Sequence, residues 1–236
     1  MHTTGVRVLG IVLFFLGIFI GLALAAAAIW ANFEAVFYNY TQLAYDEYKG
    51  LHCPVLMTTS ETAKITATFD NPSNDVIYPY YQVQLSSPGP LQKFENQITV
   101  DAHKSQTVEW TVDSSNIDLG FFVMVKFTVN PVGGYSSRET TCGIIALDIP
   151  GLNGSQIFWL VFILSLLGTL VGFWLWVKNS EPLKSRQASQ KNAMQTLAIL
   201  TFGTMFFGLL GWWGQGIILG AITLLFMVVM LRFAFK

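Results

Sequence analysis

The stretch Val8–Trp30, VLGIVLFFLGIFIGLALAAAAIW, decides the fold, because it carries no Asp, Glu, Lys or Arg and is built almost wholly from Leu, Ile, Val, Phe, Ala and Gly. A bilayer core is crossed by a helix of about 20 such residues. Two further charge-free gaps lie between Asp148 and Lys178 and between Lys191 and Arg232. The first of these fits one more span, and the second is long enough for a hairpin of two. The chain therefore reads as a multi-pass membrane protein with four transmembrane helices and a large polar segment between the first and second. The small-x-small triplet Ala23-Leu24-Ala25 has the form of a signal cleavage site. The apolar run continues past it to Trp30, which favours an uncleaved anchor.

Charge sets the expected orientation. The segment from Glu34 to Ser155 holds 13 acidic and 6 basic residues, a net of −7, while the remainder holds 7 basic residues against Glu181 alone. Basic residues are retained on the cytoplasmic side. Arg7, the group Lys178, Lys184, Arg186 and Lys191, and the pair Arg232 and Lys236 are thus expected inside. Four spans with both termini cytoplasmic satisfy all of them, leaving the acidic segment extracytoplasmic. An acidic outer segment argues against nucleic acid as a partner, since phosphate binding needs clustered Lys and Arg.

These patterns divide the chain into a cytoplasmic N-terminus with the first span (1–33), an aromatic juxtamembrane helix (34–50), an extracytoplasmic β domain (51–150), the second span (151–178), a basic cytoplasmic loop (179–192) and a helical hairpin with a short tail (193–236). The juxtamembrane helix is read from Phe37, Tyr40, Ala44, Tyr45 and Tyr48, which recur at three- and four-residue steps, with Gly50 as its stop. Trp30, Phe33, Trp159, Trp174, Trp176, Trp212 and Trp213 fall near span ends, where rings meet headgroups.

From Cys53 the hydrophobic period changes to two. Lys64–Phe69 alternates and ends at the turn Asp70-Asn71-Pro72-Ser73-Asn74-Asp75. Tyr80–Leu85 alternates and stops at Ser86-Ser87-Pro88-Gly89-Pro90. Gln97–Val100, Thr107–Val112, the longer apolar run Phe121–Val129 and the segment Tyr135–Leu147 follow. Short strands are also expected near Val55–Thr58 and Leu91–Glu95. Short strands at regular spacing, with turn signals between them, make an antiparallel sandwich. Cys53 and Cys142 both fall in this segment. An oxidising compartment permits a bridge between them. Two unpaired, buried thiols are the alternative.

The turn Phe69-Asp70-Asn71-Pro72-Ser73, followed by the strand Gln106–Val112 with its central Trp110, resembles bacterial immunoglobulin-like domains of the cell-envelope type. The likeness covers about 100 residues and concerns the fold alone. It departs from antibody domains, which place cysteines in the second and sixth strands. A Cys53–Cys142 bridge would instead join the first strand to the last, and the loop it closes is worth roughly 4 kcal/mol in the chain-entropy account.

Glycines recur four apart in three spans: Gly17 and Gly21, Gly168 and Gly172, Gly216 and Gly220. Lipid supplies no hydrophobic drive between helices, so close backbone approach at small residues must supply much of it. These six are the expected helix-packing residues, either within the chain or toward a partner. No span carries an ionisable side chain, which disfavours a coupled transporter. No glycine-framed nucleophilic serine or phosphate-cradling loop is present, and no ligand set converges in sequence around His52, His103 or the cysteines. No catalytic residue, metal ligand or cofactor is therefore expected. The leading functional expectation is a non-enzymatic accessory or structural subunit that packs beside other integral membrane proteins, or copies of itself, and presents the β domain for interaction. A ligand-binding or sensor module of the cell surface ranks second and an oligomeric channel or transporter component third.

Overall fold

The computed structural model describes residues 2–38, 46–130, 137–180 and 185–234. Its first element, α1 (His2–Tyr38), is one uninterrupted helix. No proline and no turn-forming cluster breaks the run, and Ala23–Ala28 has the highest intrinsic helix preference available. The chain divides into two compact units: a helical unit of residues up to Ile29 with Phe158 onward, and a β unit from Trp30 to Ile157.

In the β unit, the described strands are β1 (Asp46–Glu47), β2 (Leu51–His52), β3 (Leu56–Thr58), β4 (Ala63–Asp70), β5 (Tyr80–Leu85), β6 (Gln92–Gln97), β7 (Ser105–Val112), β8 (Phe122–Asn130) and β9 (Arg138–Leu147). They form two sheets. One runs β1-β9-β8-β5-β6 with β3 also on β9, and the other runs β2-β4-β7. Their inner faces share one core, in which Ile65, Ala67 and Phe69 of β4 meet Tyr81, Val83, Val123, Val125, Phe127 and Ile144. That is the two-sheet arrangement of an immunoglobulin-like sandwich.

The first edge of the sandwich switches sheets. Leu51 and His52 pair antiparallel with Ala67 and Thr66 of β4, whereas Leu56–Thr58 pair parallel with Ile145–Leu147 of β9. Cys53-Pro54-Val55 makes the crossing, and Cys53 is bridged there to Cys142 of β9 with a Cα–Cα distance of 6.5 Å. The bridge thus closes the seam between the sheets where backbone pairing is interrupted.

Three sequence expectations are corrected. Residues 34–50 are not one helix: α1 ends at Tyr38, and Asp46–Glu47 is a strand parallel to β9. Tyr48 lies in the sandwich core against Phe69 and Phe127, and its hydroxyl donates to the Thr68 carbonyl at 2.6 Å. Of that spacing Tyr48 is a core residue and Phe37 is exposed; Tyr40, Ala44 and Tyr45 lie outside the described residues. Gln97–Val100 is not a separate strand, since Gln97 ends β6 and Val100 makes only a single bridge to Ile77. Finally, part of the segment expected as a basic loop is helical, because α3 starts at Ser185. Gln187 to Asn192 contains no Pro or Gly to stop it.

The end of α1 adds a third layer. Strand β8 is buried on both faces, with Val123, Val125, Phe127 and Val129 inward and Phe122, Met124, Lys126 and Thr128 outward. Trp30 packs edge-on against Phe122 at 5.7 Å, and Asn32 Oδ1 accepts from the Gly143 N–H at 3.3 Å. Gly143 is required there: a Cβ would run into the backbone of Ala31. The covered face also holds an ion pair, Lys126 to Glu139, at 3.5 Å.

The helical unit contains α1, α2 (Gly154–Lys178), α3 (Ser185–Leu209) and α4 (Trp213–Ala234). Among the described residues these four are long and apolar enough to cross a membrane. The α3–α4 connection is a tight turn at Gly211, whose φ of +77° suits glycine. Phe14, Ile18, Leu22, Trp176, Met194 and Leu197 form a buried cluster.

Candidate functional site

The region best equipped for recognition is an overhang of the larger sheet. Strand β6 pairs with β5 alone, and on the smaller sheet β7 pairs with β4 alone, so both are edges among the described residues. Trp110 of β7 sits over Tyr81 of β5, with centroids 5.4 Å apart, and over Phe127 of β8 at 5.8 Å. The smaller sheet therefore reaches only as far as β5, and β6 projects beyond it. The register makes the consequence explicit. Phe94 stands opposite Val83 and shares its face, yet Val83 is fully buried and Phe94 is 44% exposed. Gln92 and Asn96 flank Phe94 on the same face, two residues away on either side.

On the opposite face of β6, Tyr80 donates its hydroxyl to Glu95 Oε2 at 2.6 Å, and Lys93 pairs with Glu95. Hydrogen bonds from Lys93 and then Tyr80 hold the Glu95 carboxyl below its usual range. The same bond to Glu95 raises the Tyr80 phenol. The shelf thus offers an exposed ring, two amides and a row of edge backbone groups, beside a fixed charge pair. Such a set can take up an extended segment by strand addition, with Phe94 as an apolar anchor. The exposed Lys93 and Glu95 are also the charges by which an edge discourages indiscriminate pairing.

Sequence alternation located β6 only weakly, because an overhanging strand is polar on both faces and has no buried row. A lone Phe among Gln, Lys, Glu and Asn was the available signal.

The six glycines fall on contacts inside the helical unit. A Cβ on Gly17 would strike the Thr169 and Gly168 backbones, and one on Gly172 would strike Phe14. Gly21 lies against Ser165, Gly168 against Gly17, Gly216 against Ile29 and Gly220 against Thr204. The Ser165 hydroxyl donates to the Gly17 carbonyl at 2.8 Å, a bond between α2 and α1.

Of the residues expected at membrane interfaces, Trp159, Trp174 and Trp212 are exposed, and Phe33 is exposed beside Phe37. Trp30 is exposed in part while contacting Phe121 and Phe122. Trp213 is half-buried at the start of α4. Trp176 is different: it is only 2% exposed and belongs to the inter-helix cluster. It points into the bundle because its helix position, two residues beyond Trp174, places it on another side of α2.

No protein-family model matches the chain, and no curated protein matches it. Among solved structures it is similar to the CARDB domain of a Pyrococcus furiosus protein in complex with di-metal ions, at 10% identity and a TM-score of 0.31, over 46% of this chain and 99% of that one. It is also similar to a cycloisomaltooligosaccharide glucanotransferase from Paenibacillus, at 13% identity and a TM-score of 0.32, over 45% of this chain and 14% of the enzyme. A third is Bacteroides uniformis beta-glucuronidase 2, at 14% identity and a TM-score of 0.30, over 39% of this chain and 12% of the enzyme. With each of these three scores below 0.5, the strand order alone defines the sandwich.

Proposed function

We propose that this chain is a non-enzymatic integral membrane accessory or structural subunit, which packs beside other membrane proteins and presents its β domain to them outside the cytoplasm. Both termini lie inside in this reading, following the distribution of Lys and Arg. The observation that carries it is the overhanging edge of β6, where Phe94 is left open beyond the core of a disulfide-closed sandwich. Fold alone names no partner, so the reading rests on that surface.

The exposed ring with its flanking amides also supports a second reading, a module that binds a peptide or glycan from the medium. A photoreactive phenylalanine analogue placed at position 94 in cells separates the two. A discrete adduct with another membrane protein, absent when the probe stands at the exposed Lys64 position of the smaller sheet, is the expected result. Equal labelling from both positions, or none from either, would remove the accessory-subunit reading.

A further inference from the structure

Arg7, Ile11 and Phe15 are spaced four apart on α1, so they stand one above another on a single face. Gln190 and Met194 of α3 repeat the pattern in the same direction, a polar residue followed one turn later by an apolar one. These five, with Trp176 of α2 and Met230 of α4, line a partly open cavity of about 60 Å³. All four helices of the unit contribute. One end of the cavity is polar and the rest is apolar. The Arg7 guanidinium lies over the buried Trp176 ring, 5.8 Å from its centroid, and among the described residues it pairs with no carboxylate. The same end of the unit carries Lys178 at the close of α2, Lys191 in the opening turns of α3 and Arg232 in the last turn of α4.

We infer that this cavity is a site for an anionic glycerophospholipid, its phosphate on Arg7 and Gln190 and one acyl chain laid along Ile11, Phe15, Met194 and Met230. A polar-to-apolar groove running along the helices fits an amphiphile held head outward and tail inward. Arg7 in the lining, with further cations at the same helix ends, favours a negative headgroup. The Trp176 ring gives the guanidinium a resting place, so the phosphate meets a cation already held at the mouth of the cavity. The leaflet concerned, the cytoplasmic one, rests on the orientation proposed above; the site itself does not require the β domain to bind any partner.

The test uses the full-length chain in neutral micelles. Phosphatidylglycerol, phosphatidylcholine and inorganic phosphate are each added, lipid retention is read by native mass spectrometry and stability by thermal unfolding. Phosphatidylglycerol should be retained several-fold over phosphatidylcholine and should raise the melting temperature more. Arg7→Gln should abolish the preference and Arg7→Lys should keep part of it. Lys191→Gln should leave most of it intact, because that residue stands outside the cavity lining. Met230→Trp, which fills the groove and spares the cation, should lower retention of both lipids. Equal retention of the two lipids by the unaltered chain, or a preference that survives Arg7→Gln, overturns the inference without reference to any variant's stability or to the behaviour of Phe94. An equal response to inorganic phosphate would identify a free anion as the ligand and overturn the lipid assignment. Failure of the chain to enter liposomes at all would overturn the membrane reading itself.

Discussion

Single side chains hold the turns of the β unit, and Asn71 illustrates how. Its Nδ2 lies 2.8 Å from the Asp75 carbonyl and 3.0 Å from those of Val100 and Asp101, while Oδ1 accepts from the Ser73 N–H and hydroxyl. The bond to Val100 is buried, so that carbonyl has little access to water. Asn71→Ala would strand it, a loss of about 1–3 kcal/mol. The expected outcome is a lower urea midpoint for protease attack on the β unit of the intact chain, and an unchanged midpoint would show that the turn is held by its backbone alone. Glu95 gives a prediction of pH dependence. Its carboxyl is depressed by Lys93 and Tyr80. Its contribution to stability is therefore present above the ordinary carboxylate range and is lost as pH falls through its lowered folded value. The site is exposed, so the effect is small. Tyr80 supplies the sharper reading. Its phenol is raised because the proton is shared with Glu95. Glu95→Gln should bring the Tyr80 ionisation down toward the ordinary phenol value, seen as a shift to lower pH in the difference absorbance titration of variant against parent. Identical titrations would separate Tyr80 from Glu95 in solution.

At the scale of elements, the strands most legible in sequence were those with one face buried and one solvated. Ala63–Asp70 alternates buried and open positions along its length, and Tyr80–Leu85 does the same; both ranges were readable almost to the residue. Phe121–Val129 was readable as a strand but not as one buried on both faces by different neighbours. Part of its outer cover, Trp30 on α1, is distant in sequence and lies in a stretch whose composition is that of a membrane span. The same uniformity hid Trp176, because within an apolar helix nothing in the spelling distinguishes a lipid-facing ring from an inward one. The overhang of β6 depended on how far β7 extends over the other sheet, a property of register that alternation does not encode. The spacing of the glycine pairs pointed to packing without naming their neighbours. Their energetic weight is testable inside one helix. Gly17 lies against the Thr169 and Gly168 backbones, whereas Gly5 of the same helix has nothing within 4 Å. Gly17→Val must push α1 from α2 at a cost of roughly 1–3 kcal/mol, and Gly5→Val should be close to neutral. Thermal unfolding of the two variants in micelles should therefore differ by several degrees; equal melting temperatures would show that the α1–α2 contact is dispensable.

The whole molecule couples an oxidised sandwich to an asymmetric charge distribution, and the two should report the same sidedness. Cys53 and Cys142 are joined across 89 positions of sequence, and cross-linking a loop of that length stabilises the fold by about 4–5 kcal/mol in the chain-entropy account. That is a large share of the total for a domain of this size. Thiols in a reducing cytoplasm would forgo it, whereas an extracytoplasmic β unit can keep it. The charge pattern makes the same demand independently, since the β unit carries the acidic excess and the rest of the chain carries the basic one. Lys93 and Lys104 have exposed side chains, each beside a carboxylate, and are therefore open to amine-reactive reagents. A reagent that cannot cross membranes, applied to whole cells, should modify Lys93 and Lys104 and should leave Lys191 unmodified until the membrane is permeabilised. In the same cells a thiol-blocking reagent should fail to modify Cys53 and Cys142 until a reductant is added. Labelling of Lys191 in intact cells, or free thiols at both cysteines, would reverse the proposed orientation. It would also take Phe94 away from any partner outside the cytoplasm, because a reduced sandwich facing inward would present β6 to a different set of proteins.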